Sequence, residues 1–282
     1  MDRREMLIGI FEDTQKWCRE NERLSRAVHE SIAGTKVYQE NCSFSQTADL
    51  RGMETEITVE KSRSFEAALA LQRENPDARI AVHNFASATN PGGGVTKGSS
   101  AQEECLCRCS TLYPVLNTEE LKKGYYFYHR ERHDTRYTDR CIYTPGIWII
   151  KTDTDQPRRM EEADWCQVDV ITCAAPNLRA RPYNSMNPGS GEAVRVTDRE
   201  LLEMHKKRAR HMLHAALENH ADILVLGAFG CGAFQNNPEI VARAYKEILP
   251  EFRGKFRKIT FAVFCSSRDS RNYDVFRRVL RA

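Results

Sequence analysis

The clearest pattern along the chain is a set of short apolar runs separated by amphipathic stretches. Val168-Asp-Val-Ile-Thr-Cys-Ala-Ala175 and Ile223-Leu-Val-Leu226 are nearly continuous, as strands covered on both faces require. Ile259-Thr-Phe-Ala-Val-Phe264 is a third such run. Between them, Thr197-Asp-Arg-Glu200 is a capping box that predicts a helix to about His220. Asn237-Pro238 supplies an N-cap and an N1 proline for a helix to about Leu249, and a last helix is expected over 271–280. The first half has the same grammar with more interruptions. Helices are expected at 3–20, 64–74 and 101–112, and strands at 36–39, 55–60 and 79–85. Residues 123–150 read as strands or a hairpin, and 176–196 as a Pro/Gly/Asn-rich loop. Strands alternating with helices predict an α/β fold with a mostly parallel sheet covered on both faces.

At 282 residues the chain holds ample core, and no repeat, low-complexity tract or linker-like break divides it. The organisation expected is a core over 76–282 with a helical extension, 1–75, packed on it. The apolar stretch Met6 to Phe11 is too short for a signal peptide, and no run reaches membrane-spanning length. A cytoplasmic protein (nuclear also if eukaryotic) without membrane contact, and monomeric, is expected. Ten cysteines are then expected as reduced, mostly buried hydrophobes rather than disulfides. The net charge is +3, but basic residues outnumber acids between Arg253 and Arg281, which permits a polyanionic partner and equally describes a solvated face.

Candidate chemistry lies after the predicted strands, where open α/β sheets bind ligands. Asn90-Pro-Gly-Gly-Gly94 is followed, after seven residues, by Gln102-Glu103-Glu104. Adjacent glycines permit close backbone approach and positive φ. Glu103 stands three residues after Ser100 and could close a capping box. Glu104, about 100° further round a helix, has no such role. Gly227-Ala-Phe-Gly-Cys-Gly-Ala-Phe234 joins a strand to a helix N-terminus, a place where backbone N–H groups hold anions. It is neither a Walker loop nor a dinucleotide fingerprint, so diphosphate binding without a P-loop lysine is weighed against a plain tight turn. Cys105, Cys107 and Cys109 diverge on a helix, and His129 and His133 lack a zincin context, so no metal is expected.

Taken together, these segments resemble the microbial-type poly(ADP-ribose) glycohydrolases. The resemblance rests on Asn90-Pro-Gly-Gly-Gly94 with Gln102-Glu103-Glu104, on Gly230-Cys-Gly-Ala-Phe234 and on Thr172-Cys-Ala-Ala-Pro-Asn177. It spans roughly 80–270. It implies a three-layer α/β/α macrodomain and hydrolysis of the ribose–ribose bonds of poly(ADP-ribose), mainly from chain ends, without a cofactor. By the same resemblance Glu104 is the acid/base, and Glu103 and Asn90 hold ribose hydroxyls. The backbone of Gly92, Gly93 and Gly94, and of Gly230, Cys231, Gly232 and Ala233, binds the diphosphate. Phe234 packs on the terminal ribose, and Val95 and Gln102 complete the substrate-binding set. The implied partners are poly(ADP-ribose) and ADP-ribosylated proteins, with ADP-ribose as product.

An oxocarbenium-like transition state needs a proton donor at the leaving oxygen and then an activated water, and one carboxyl can serve both in turn. A helix N-terminus lowers a carboxyl pKa, whereas burial and a second carboxylate raise it, and the sequence leaves that balance open. Three alternatives remain at this stage: a hydrolase of single protein- or nucleic-acid-linked ADP-ribose, a non-catalytic ADP-ribose reader, and an unrelated nucleotide-binding domain.

Overall fold

The computed structural model describes residues 2–44, 54–183 and 191–281. Helices α1 (Arg3–Glu20) and α2 (Glu22–Gly34) are followed by β1 (Lys36–Tyr38), β2 (Glu56–Glu60), α3 (Ser64–Glu74) and β3 (Ile80–Phe85). Next come α4 (Gln102–Cys109), α5 (Leu112–Leu116), α6 (Glu119–Leu121) and α7 (Tyr128–Arg132), then β4 (Cys141–Ile149) and β5 (Cys166–Cys173). The chain ends with α8 (Asp198–Glu218), β6 (Ile223–Leu226), α9 (Pro238–Ile248), β7 (Lys258–Ala262) and α10 (Arg271–Arg281). The seven strands form one sheet in the order β1-β4-β5-β3-β6-β7-β2. β4 runs antiparallel to β1 and β5, and all other pairs are parallel.

The apolar runs are strands because alternate side chains serve opposite layers. Ala81, Ile171, Leu224 and Phe261 enter a core with α8, α9 and α10. Their neighbours Val82, Val170 and Val225 enter the other core, with α3, α4 and α5. This is the three-layer mixed-sheet α/β fold. Helix starts follow their caps: Thr197 accepts from Glu200 N in a capping box, and Asn237 accepts from Glu239 N ahead of Pro238.

Two segments differ from the sequence reading. Helix α2 was not anticipated; Asn21 caps it by accepting from Leu24 N, and its buried face is mostly small, Ala27, Val28 and Ser31 beside Leu24. Residues 119–132 are helical rather than extended, with a π-helical turn over Lys122–Phe127. Aromatic residues there suggest strand, but Leu121, Tyr125 and His129 are buried at helical spacing. Of the expected loop 176–196, residues 184–190 lie outside those described.

Helix α1 is fastened to α4 and to the segment after β4. Thr14 Oγ1 donates to Arg108 O at 2.6 Å, and Lys151 Nζ donates to Ile10 O at 2.8 Å. This brings Arg3 and Leu7 to the cavity formed at the carboxyl ends of β3, β5, β6 and β7.

Candidate active site

The segment after β3 is shaped around two carboxylates. Helix α4 starts at Gln102 with Ala101 as N-cap and no side-chain cap, so Glu103 closes no capping box with Ser100. Glu103 turns inward and is 3% exposed. Its Oε2 accepts from Ser87 N at 2.7 Å and its Oε1 from Asn84 Nδ2 at 3.3 Å. Burial pushes its carboxyl well above the ordinary range; bonds from Ser87, Asn84 and Gly92 N–H oppose the rise and the Glu104 charge adds to it.

Glu104 is 7% exposed and sits under the glycine turn. Its Oε1 accepts from Gly94 N at 2.9 Å. Its Oε2 is buried without a hydrogen-bond partner among the described residues, and the residue belongs to the cavity lining. Gly93 has φ +58°, and a Cβ there would stand 2.5 Å from Glu104 Oε1 and 3.1 Å from Glu103 Oε2. A glycine at this position is therefore a requirement of carboxylate packing. Two of the turn's amides are already engaged, Gly94 with Glu104 Oε1 and Gly93 with Asn90 O. Neither of these two is left for a diphosphate.

Gln102 is engaged in the same way. Its Oε1 accepts from Phe85 N at 2.8 Å, and its Nε2 donates to Ser64 Oγ at 2.9 Å and His83 O at 2.7 Å. It ties α4 to β3 and α3. Asn90 faces the cavity with its amide oriented by Arg130, whose Nη2 donates to Asn90 Oδ1 and whose Nε donates to Thr89 O, each at 2.7 Å. Arg130 follows the π-helical turn, and nothing local in the sequence marks it. The side chain of Val95 is in the core, and Gly92 and Cys231 are absent from the cavity wall.

The loop after β6 is held from behind. Asn236, buried, donates from Nδ2 to Pro176 O, Gly230 O and Phe234 O at 2.7, 3.1 and 3.2 Å. Its Oδ1 accepts from His205 Nε2 at 2.8 Å, and burial lowers that imidazole to about 3, so the ring is a neutral donor. Gly230 has φ +75°, and a Cβ there would meet Ala175 Cβ at 2.5 Å, so both the backbone and the space call for glycine. With the loop so fixed, the N–H groups of Gly232, Ala233 and Phe234 have no acceptor among the described residues, and all three residues line the cavity. Backbone N–H groups presented together in this way are donors of the kind that hold anions. Phe234 is half-buried, its ring 6.3 Å from that of Tyr137.

The cavity is about 770 Å³, within the range of small-molecule sites. Its far wall carries Phe264, 55% exposed, just beyond β7. The Arg63 guanidinium lies 4.3 Å from that ring's centroid. Arg63 also pairs with Asp155 at 2.6 Å, and Arg3 meets the same carboxylate at 3.8 Å. Phe264 was missed in the sequence as a site residue, although an aromatic ending a predicted strand was a usable signal. The three α4 cysteines part company: Cys105 lies by Arg63 and Arg108, Cys107 by Gly92, and Cys109 donates to Thr152 O. His129 bonds Tyr125 O and Thr138 Oγ1 in the core.

Comparison with known proteins decides the family. The profile of the microbial-type PARG catalytic domain matches residues 8–152, which contain the glycine turn and both glutamates. The chain belongs to the microbial-type PARG family. It is accordingly a glycohydrolase, and its fold agrees with solved members. Poly(ADP-ribose) glycohydrolase from Thermomonospora curvata superposes with a TM-score of 0.83 at 29% identity, covering 98% of this chain and 100% of that one. The same enzyme bound to the inhibitor ADP-HPD gives 0.80 at 29% identity, covering 98% and 99%. The Deinococcus radiodurans enzyme in complex with ADP-ribose gives 0.72 at 34% identity, covering 90% and 96%. No curated protein sequence matches this member of the family. No helix among its described residues is long and apolar enough to cross a membrane.

Proposed function

We propose that this glycohydrolase cleaves ribose–ribose bonds of poly(ADP-ribose) from chain ends, with Glu104 as its acid/base. The observation that carries the assignment is the state of Glu104, a residue of the cavity lining: one oxygen is fixed by Gly94 N, and the other is buried and unpartnered among the described residues. Oε2 gives its proton to the departing ribose oxygen and then takes one from water. The two carboxylates converge on Gly93, and burial together with the Glu104 charge raises the Glu103 carboxyl. Glu103 is spent on backbone and Asn84 contacts, so its part is to shape the site.

In this reading the N–H groups of Gly232, Ala233 and Phe234 hold the diphosphate, and Phe234 meets the terminal ribose. Asn90 offers its amide N–H to a ribose hydroxyl. Phe264 stacks on adenine, the aromatic surface that its exposure on the far wall leaves available. Arg3 and Leu7 of α1 add to the cavity wall, and a wall closed there favours a terminal unit over one that continues. The motif pair Glu103-Glu104 set in this cavity favours catalysis over plain reading.

One set of measurements tests this. The unmodified protein should release mono-ADP-ribose from the first turnovers on poly(ADP-ribose). Glu104→Gln should lose roughly 10²–10⁴-fold in rate while still binding ADP-ribose, and Phe264→Ala should weaken that binding. Near-normal turnover by Glu104→Gln sinks the acid/base assignment, and early multi-unit fragments sink the chain-end mode. Unchanged ADP-ribose affinity in Phe264→Ala removes the adenine assignment.

A further inference from the structure

Four arginines and no lysine line the cavity: Arg3, Arg63, Arg108 and Arg179. Three are committed. Arg3 and Arg63 share Asp155, and Arg63 also lies 3.9 Å from Asp153. Arg108 is buried, donating to Ser99 O at 2.6 Å and lying against Cys105. Arg179 has no carboxylate partner among the described residues.

The backbone that carries Arg179 is fixed beside the ribose end of the cavity. Leu178 N donates to Phe234 O at 3.0 Å, and Asn177 N donates to Thr135 O at 2.8 Å. Asn236 holds Pro176 O, and Asn177 Oδ1 accepts from Arg179 N at 3.4 Å. The segment is thus attached to the same Asn236 that fixes the anion loop. It runs on through exposed Arg181 to Tyr183, whose ring is 56% exposed.

Substrate chemistry requires something at this place. If Glu104 protonates the oxygen leaving the terminal ribose, that oxygen belongs to the adenosine ribose of the next unit. That ribose bears its own diphosphate only a few bonds away, so a polymer end brings a second dianion to the mouth of the site. The anion loop is occupied by the first diphosphate. A guanidinium carried on a held backbone is suited to the second, because its fork bonds two phosphate oxygens at once.

We propose that Arg179 is a leaving-unit subsite: it binds the diphosphate of the penultimate ADP-ribose, with Tyr183 offering a face to that unit's adenine. The inference rests on the polymer reading of the site above. It explains how a pocket sized for one ADP-ribose distinguishes a polymer end from the free product. The product fills the loop and the ribose pocket and leaves Arg179 unsatisfied. The polymer end satisfies both.

The test compares binding of ADP-ribose with binding of a two-unit oligo(ADP-ribose) in the slow Glu104→Gln background. The two-unit ligand should bind more tightly, and adding Arg179→Gln should remove roughly a tenfold or larger advantage. ADP-ribose affinity should stay the same. Arg179→Lys should recover part of the advantage, and that part should fade with salt. Equal affinities for the two ligands before any change at Arg179 overturn the subsite. So does a parallel loss for ADP-ribose, which would place Arg179 on the first unit. Absence of polymer turnover by the unmodified enzyme would instead overturn the polymer reading, while the binding comparison still decides whether Arg179 holds a second unit.

Discussion

Gly93→Ala tests whether the glycine turn is a carboxylate cradle. Two effects are separable. The first is conformational: alanine at φ +58° pays about 1–2 kcal/mol for the left-handed region. The second is steric. The new Cβ stands 2.5 Å from Glu104 Oε1, and ordinary contact begins at 3.4 Å, so the carboxylate must retreat by 3.4 − 2.5 = 0.9 Å. The retreat is cheap for folding, because the obstacle is the end of a flexible side chain. It is expensive for chemistry: it strains the 2.9 Å bond from Gly94 N, and a misplacement of about 1 Å costs on the order of 10²-fold in rate. The expected variant is folded, about 1–2 kcal/mol less stable by urea titration, and roughly a hundredfold slower on poly(ADP-ribose). Gly9→Ala is the control. Gly9 lies within α1 with nothing within 4 Å of a new Cβ, so it should gain roughly 0.5–1 kcal/mol and keep its rate. Wild-type turnover in a folded Gly93→Ala enzyme would refute the reasoning.

Two further outcomes follow from the same contacts. Because burial raises the folded-state pKa of Glu103 above its unfolded value, the fold loses stability as pH climbs from about 4 towards the raised pKa. Glu103→Gln should remove that loss, so the melting temperatures of the two proteins should diverge on the alkaline side, and a parallel pH course would count against it. Arg130 acts on substrate only through Asn90, so Arg130→Gln should slow the enzyme far less in an Asn90→Ala background than alone; additive effects in that double-mutant cycle would assign Arg130 some other role.

The sheet was legible because a strand buried on both faces leaves an unmistakable apolar run, and caps such as Thr197 and Asn237 fix where helices begin. Residues 123–132 were misread because Tyr125, Tyr126 and Phe127 carry strand propensity locally, and only burial reveals their helical spacing. At the site, the sequence supplied the residues that chain neighbours bring together, the glycine turn and Glu103-Glu104. It did not reveal that Gly93 N meets Asn90 O and Gly94 N meets Glu104, since what a glycine amide meets depends on how α4 docks. Arg130, Asn236 and Arg179 were beyond reach for a simpler reason. Only the fold brings Asn90 to Arg130 and Pro176 to Asn236, and only the fold seats Arg179, by pairing its neighbour Leu178 N with Phe234 O.

The strand order also bears on how the molecule is made. Strand β2, near the start, finds its sheet neighbour only in β7, with Glu56 opposite Lys258, and Thr55 Oγ1 donates to Phe256 O at 2.8 Å. A ribosome releases β2 long before β7, so during synthesis this strand, with Ile57 on its surface, waits with both edges unpaired. The cavity has the same dependence, being lined from Arg3 through Asn272. Sheet closure and site assembly are therefore late, long-range events, and the nascent chain bears an open strand edge for most of its translation.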